Sequence, residues 1–372
     1  MTADSSKTTN IGKTIVFTGG GTAGHVMPNL ALAPRLREKN WTLHYLGSAA
    51  GPERGLAAAA GIPFHSLATG KLRRYFSWQN FTDPLRVIKG LVDAFLLLGK
   101  IKPDLVFSKG GFVSVPVVYA AALRRIPVIL HESDLTPGLA NRLSLPFCTH
   151  ICASFPETLE HLPHGKGAKG SKAVLTGTPI REELFLGNRA AGLEFLGFTG
   201  TKPVLLVMGG SMGSRAVNDS LRANLSWILE VADVVHLCGK GWLDGTQEGR
   251  AGYRQFEFLG PELANVLIAA DRVVSRAGAN SLFELLALRK PMLLIPLPGK
   301  ASRGDQILNA ESFVRRGLAH VLLQEDLTSD TFRAALQALV RDEVTLIANM
   351  NASGLAHGTA NVLAVIEEAV AP

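Results

Sequence analysis

"TIVFTGGGTAGHVMPNLALAPRL", residues 14–36, runs from an apolar stretch through a glycine-rich turn into a helix-forming segment. Gly19, Gly21 and Gly24 stand at the G-x-G-x-x-G spacing of dinucleotide-binding loops. Glycines at these points allow a tight turn and let a phosphate approach the backbone at a helix N-terminus. The plan restarts at "KPVLLVMGGSMGSRAVNDSL" (202–221), with Gly209, Gly210 and Gly213 in the turn. Two such units, each followed by alternating β-rich and helical segments, predict an α/β protein of two Rossmann-like doubly wound domains facing a cleft. Besides the strand of the 202–221 unit, strands are expected near 14–18, 42–46, 104–108, 127–131, 150–153, 233–237, 272–275 and 292–296. Helices are expected at 27–38, 84–99 and 113–124. The division that follows is a disordered N-terminus (1–13), a first domain (14–180), a linker (181–201), a second domain (202–355) and a C-terminal helix (356–372) packing back across the domains.

At 372 residues, with 47% hydrophobic and 19% charged residues, the composition is that of a packed globular protein. Three cysteines make no disulfide framework. Cys148 and Cys152 flank His150, but no second ligand pair follows at zinc-site spacing, so no metal and no cofactor is expected. The first residues lack the apolar region of a signal peptide, and no stretch approaches the ~20 apolar residues that span a bilayer. The best candidate, 112–123, is too short and contains Pro116. A net charge of +7 suggests an anionic partner: nucleic acid, a membrane surface or a phosphorylated substrate.

The first turn lacks what NAD binding requires. An acid should close the second strand and hold the ribose, yet none occurs between Lys39 and Gly51. His25, directly after Gly24, instead projects at the carboxyl end of the strands, where it is either a cap or a proton acceptor near neutral pH. In the second turn, Ser211 adds a hydroxyl to a phosphate cradle. A helix N-terminus carries only about half a positive charge, so a diphosphate calls for a cation. Arg181 is well placed for that, or pairs with Glu182, Glu183 or another surface acid. In "SRAGANSLFELLALRKPMLLIPL" (275–297), Ser281 and Glu284 fit a capping box, while Glu284 could alternatively grip vicinal ribose hydroxyls. In "GDQILNAESF" (304–313), Asp305, Gln306 and Asn309 suit sugar hydroxyls or helix caps.

Taken in order, "GGGTAGHVMPNLALAPRL", "SKGGFVSVPV", "PVILHESDLTPGLANR", "GTPIREE", "VMGGSMGSRAVN", "SRAGANSLFELLAL" and "GDQILNAESF" resemble the signature segments of the MurG family. These are the N-acetylglucosaminyltransferases that convert lipid I to lipid II in peptidoglycan synthesis. The resemblance implies a GT-B fold, with UDP-N-acetylglucosamine (UDP-GlcNAc) in the second domain and the lipid-linked acceptor on the first. It assigns Glu284 to the ribose, within the segment Ala279, Asn280, Ser281, Leu282 and Phe283. Ser211 and Arg181 fall to the diphosphate, backbone near Leu259 and Gly260 to the uracil, and Gln306 with Asp305 to the sugar. Thr22, Ala23 and Gly24 would line the gap. His25 is the first choice of base, with Glu132 and Asp134 behind it. Two departures stand out: Ala23 replaces a glycine, and Ser133-Asp134 replaces the usual Gln-Asn after His131-Glu132.

A lipid acceptor implies a peripheral enzyme at the cytoplasmic face of the membrane, with UDP-GlcNAc, lipid I, an anionic membrane surface and other cell-wall synthesis proteins as partners, and no nucleic acid. Residues 70–103 carry Lys71, Arg73, Arg74, Arg86, Lys89, Lys100 and Lys102 against Asp83 and Asp93, beside Tyr75, Phe76, Trp78 and Phe81. Basic and aromatic side chains together suit an anionic interface, at about 1 kcal/mol per basic residue near the surface. Two other readings of the same cleft are a transferase acting on another lipid and a UDP-GlcNAc 2-epimerase.

Overall fold

The computed structural model describes residues 12–68, 79–162, 172–210, 212–299 and 304–371, with backbone alone at 79–85. The first half holds β1 (Thr14–Thr18), β2 (Thr42–Ser48), β3 (Phe64–Leu67), β4 (Leu105–Ser108), β5 (Val128–Glu132), β6 (His150–Ala153) and β7 (Lys172–Leu175). The second holds β8 (Val204–Met208), β9 (Asp233–Leu237), β10 (Tyr253–Phe256), β11 (Arg272–Ser275), β12 (Met292–Leu294) and β13 (His320–Val321). The strands form two parallel sheets, ordered β3-β2-β1-β4-β5-β6-β7 and β10-β9-β8-β11-β12-β13. Central strands such as β4 and β5 are buried along their whole length, because helices cover both faces of a parallel sheet. The α/β, GT-B architecture of two Rossmann-like domains is therefore what the chain adopts.

In each sheet the strand order reverses once, between β1 and β4 and between β8 and β11. A crevice opens at the carboxyl ends of the strands at such a point. Both glycine turns lie there, the first after β1 and the second after β8. The four strands absent from the expected set, β3, β7, β10 and β13, are the four sheet edges. An edge strand buries fewer side chains, so its apolar pattern is weak; β13 is two half-buried residues.

One boundary needs correction. Residues 181–201, expected as a linker, fold onto the second domain as a short 3-10 turn (Glu182–Leu186) and a helix (Arg189–Leu196). Leu184, Leu196 and Phe198 join that domain's core. Gly187 and Gly192 are there for contact: a Cβ on either would lie 2.3 or 2.4 Å from the carbonyl oxygens of Ala264 and Asn265.

The last helix, Gly358–Ala369, buries Val362, Leu363, Val365 and Ile366 in the core of the first domain with Ile15, Phe17 and Leu32. The chain thus crosses between domains twice, and the crossings touch: a Cβ on Gly358 would lie 2.0 Å from the Thr178 carbonyl oxygen. A seam joins the domains beside the cleft. Phe155 from the first domain meets Phe283 and Phe313 of the second, ring centroids 5.2 and 6.0 Å away. Glu157 accepts from Ser312, Arg315 and Arg316 at 2.8–3.0 Å.

Candidate active site

The second turn links β8 to the helix Arg215–Val231, whose N-cap Ser214 accepts from the Val217 N–H. Gly210 and Gly213 have φ of 85° and 75°, the left-handed region that only glycine enters cheaply. Among the described residues no atom comes within 4 Å of where a Cβ on Gly210 would stand, so this side of the turn is open. Met212 is 83% exposed. Ser211 lies outside the described residues. Behind the turn, the buried Arg276 donates to Ser214 Oγ and Gln324 Oε1 and to the carbonyls of Ile295 and Pro296.

Glu284 sits on the helix Ala279–Ala287, whose N-cap is Gly278 with no side-chain cap. The Ser281–Glu284 capping box does not form. Glu284 Oε1 instead accepts from Arg181 Nη2 at 3.0 Å and Nε at 3.2 Å. Burial pushes the Glu284 carboxyl above its ordinary range, and the charge and bonds of Arg181 oppose that. Arg181 accordingly pairs with neither Glu182 nor Glu183.

Leu282 and Phe283 are buried in the core, so their side chains cannot reach a ligand. Asn280 faces the cleft and spans it, its Nδ2 donating to the Gly24 carbonyl at 3.1 Å. Gly260 is exposed and accepts from the Leu263 N–H. Gln306 Oε1 accepts from the Leu297 N–H, and Asp305 Oδ1 from Thr136 Oγ1. Asn309 is fully buried in the seam, accepting from the Leu135 N–H and donating to Asp134 Oδ1. It is an interdomain staple, not a sugar ligand.

The first turn is braced from within. Glu53 is wholly buried, and its carboxylate accepts from the Gly21 N–H at 3.3 Å and the Ser48 N–H at 2.9 Å. Gly20 N–H donates to the Gly110 carbonyl. After it, Thr22, Ala23 and Gly24 are exposed, and a single 3-10 turn (Ala23–His25) sets His25 at the cleft with its Nδ1 3.2 Å from Thr22 Oγ1.

Beneath that turn lies a residue the sequence alone did not flag. Lys109, directly after β4, is buried, with Nζ 2.6 Å from His131 Nδ1 and bonded to Ser133 Oγ. His131 Nε2 faces the Gly177 carbonyl at 2.9 Å, so the ring is neutral with its proton on Nε2. Burial pulls Lys109 down to about 8, against the opposing charges of Glu132 and Asp134. The only sign in the sequence is a lysine inside an otherwise apolar strand-to-helix passage. Glu132, second in line as a base, is spent on its own loop: it accepts from the Asp134 N–H, the Gly138 N–H and Asn141 Nδ2.

On the first domain, the helix Gln79–Ile101 buries Ala94 and Leu98 but exposes Ile88 (59%), Val92 (50%) and Leu96 (63%). Arg124 lays its guanidinium 3.9 Å from the Phe95 ring beside this face. Arg73, Arg74, Tyr75, Phe76 and Trp78 lie outside the described residues. Cys148, Cys152 and Cys238 are buried free thiols, and burial holds Cys148 and Cys152 at about 12.

Two family models match the chain: the glycosyltransferase family 28 N-terminal domain over residues 15–153 and the C-terminal domain over 204–365. A UDP-N-acetylglucosamine–N-acetylmuramyl-(pentapeptide) pyrophosphoryl-undecaprenol N-acetylglucosamine transferase of Geobacillus kaustophilus is 52% identical, covering 96% of this chain and 98% of its own. The protein of that name from Clostridium tetani is 50% identical, with 96% and 98% covered. Among solved structures, MurG of Acinetobacter baumannii superposes with a TM-score of 0.75 at 24% identity, over 96% of this chain and 99% of that one.

Proposed function

This chain belongs to glycosyltransferase family 28, and on that premise we propose that it transfers GlcNAc from UDP-GlcNAc to the 4-hydroxyl of the N-acetylmuramic acid in undecaprenyl-pyrophosphoryl-linked acceptor. The full-length likeness to transferases of that activity carries the reading. The acceptor hydroxyl attacks the anomeric carbon, the bond to the diphosphate breaks, and the configuration inverts from α to β. His25, oriented by Thr22, takes the hydroxyl proton. Glu284 grips the ribose and Arg181 the diphosphate, so the donor exchanges their mutual ion pair for its own contacts. Ser211 and the N–H groups of the second turn complete the diphosphate cradle, Gln306 and Asp305 meet the sugar, and the backbone at Gly260 meets the uracil. Negative charge that builds on the departing UDP falls where preorganised donors are worth most.

The acceptor's lipid stays in a bilayer, and no helix among the described residues is long and apolar enough to cross one. The exposed apolar face of Gln79–Ile101, flanked by Lys89, Lys100 and Arg124, docks the enzyme on an anionic surface at the cytoplasmic face. Incubation with radiolabelled UDP-GlcNAc and lipid I, in vesicles containing anionic lipid, should yield labelled lipid II. Label on diacylglycerol instead, or conversion of UDP-GlcNAc without any acceptor, would replace this reading with another lipid transferase or an epimerase.

A further inference from the structure

In each domain the residue that follows the strand across the reversal point is a buried cation: Lys109 after β4 and Arg276 after β11. Their surroundings differ in one respect. Lys109 has the carboxylates of Glu132 and Asp134 acting on it from its own domain. Arg276 has none. Its residue is 8% exposed, and its bonds to the described residues go to neutral oxygens. Nη1 donates to the Ile295 and Pro296 carbonyls at 2.9 Å each, and Nη2 to Ser214 Oγ and Gln324 Oε1 at 2.6 Å each. Among the described residues no carboxylate forms an ion pair with it, and burial is what draws its pKa down. A cation desolvated without a counter-charge is costly, and the cost is recovered only when a negative charge arrives nearby.

The place where one can arrive is adjacent. Ser214, which takes a bond from Arg276, is the N-cap of the helix behind the second glycine turn. The guanidinium thus lies one hydrogen bond behind a turn whose other side is open. We propose that Arg276 is the inner half of the diphosphate site, a positioning residue whose counter-ion is the substrate's own diphosphate, seated across the turn. The assignment rests on the donor reading above. The helix end supplies about half a charge, Arg181 a full one from the cleft side and Arg276 another from inside. Together they match the charge of a nucleoside diphosphate, and they hold more tightly as the leaving group gains charge.

The test compares UDP with uridine, which share a base and ribose and differ in the diphosphate. Titration calorimetry on the full chain would give both affinities for the parent, Arg276→Gln and Arg276→Lys. Arg276→Gln should weaken UDP by about 10- to 100-fold and leave uridine within twofold. Arg276→Lys keeps the charge with fewer bonds, and should prefer UDP over uridine nearly as strongly as the parent. Equal weakening of both ligands in Arg276→Gln would mean a merely structural clamp and overturn the proposal. So would unchanged UDP affinity, or loss of the preference in a folded Arg276→Lys protein. A parent that bound uridine and UDP alike would also refute it, while one that bound neither would refute the donor reading first.

Discussion

The two glycine turns share a sequence plan and differ in what fills them. After β1, a carboxylate from the same domain occupies the place where an anion's oxygens would sit: Glu53 takes the Gly21 and Ser48 N–H groups and is wholly buried. Among the described residues no atom would meet a Cβ on Gly21 or on Gly210, so each turn has an open side, but behind the turn after β8 stands the positive Arg276, bonded to Ser214 Oγ. One turn has its anion built in; the other has a cation awaiting one. A glycine fingerprint therefore reports a backbone path, while the charges brought up to that path decide what it holds. The first turn, braced by Glu53, leads into the 3-10 turn that sets His25 at the cleft.

The sharpest way to break this contrast is His25→Ala. Loss of a general base should lower turnover by about 10²–10⁴-fold, with UDP affinity within twofold of the parent by calorimetry. If UDP binding were lost instead, the first turn would be the donor site and the contrast reversed. Next comes Glu53→Ala, which takes the buried acceptor from the Gly21 and Ser48 N–H groups. It should cost about 1–3 kcal/mol in thermal or denaturant unfolding and leave UDP affinity alone; a Glu53→Ala protein of parental stability would show that the first turn needs no internal anion. Gly210→Ala probes the second turn, where space is open but φ is 85°. A left-handed alanine costs about 1–2 kcal/mol, so a folded protein with lowered stability and several-fold weaker UDP binding is expected. Parental values for both would detach ligand binding from the turn's conformation.

The smallest effect concerns the seam that keeps the turns facing each other. Partial burial pushes Glu157 up, but the bonds from Arg316 and Arg315 outweigh it and hold the carboxyl at about 2. Its folded pKa lies below the unfolded 4.5, so its contribution is complete above 4.5 and is lost as pH falls from there through about 2. Glu157→Gln should therefore lose stability above pH 5 and show a shallower decline of Tm between pH 5 and 2.5. Parallel Tm curves for parent and variant would remove the ion pair from the seam's energetics.

Much of the site was legible as a set of residues but not as a set of partners. Glu284 and Arg181 each stood out, one as a ribose ligand or cap and one as a cation for the diphosphate. That they bond each other across 103 residues did not, because nothing local fixes a pairing of that span. The Ser281–Glu284 capping box failed for the converse reason: its spacing is right, but the helix starts at Ala279 and Arg181 claims the carboxylate. Asn309 read as a group for sugar hydroxyls or a helix cap, because polar side chains at a helix start serve either purpose. Here a second domain covers it.

By itself the sequence determined the alternation of strands and helices, both glycine turns between a strand and a helix, and the residues with chemistry to offer, including His25. These depend on side-chain period and on turn stereochemistry, which act over a few residues. Only the tertiary structure decided that Glu53 braces the first turn from 32 residues away, that Asn280 reaches Gly24 over 256, and that Lys109 has counter-charges where, among the described residues, Arg276 has none. It also made a folded helix of the stretch that read as a linker. Those outcomes turn on which groups are desolvated together, and desolvation belongs to the packed domains, not to any local segment.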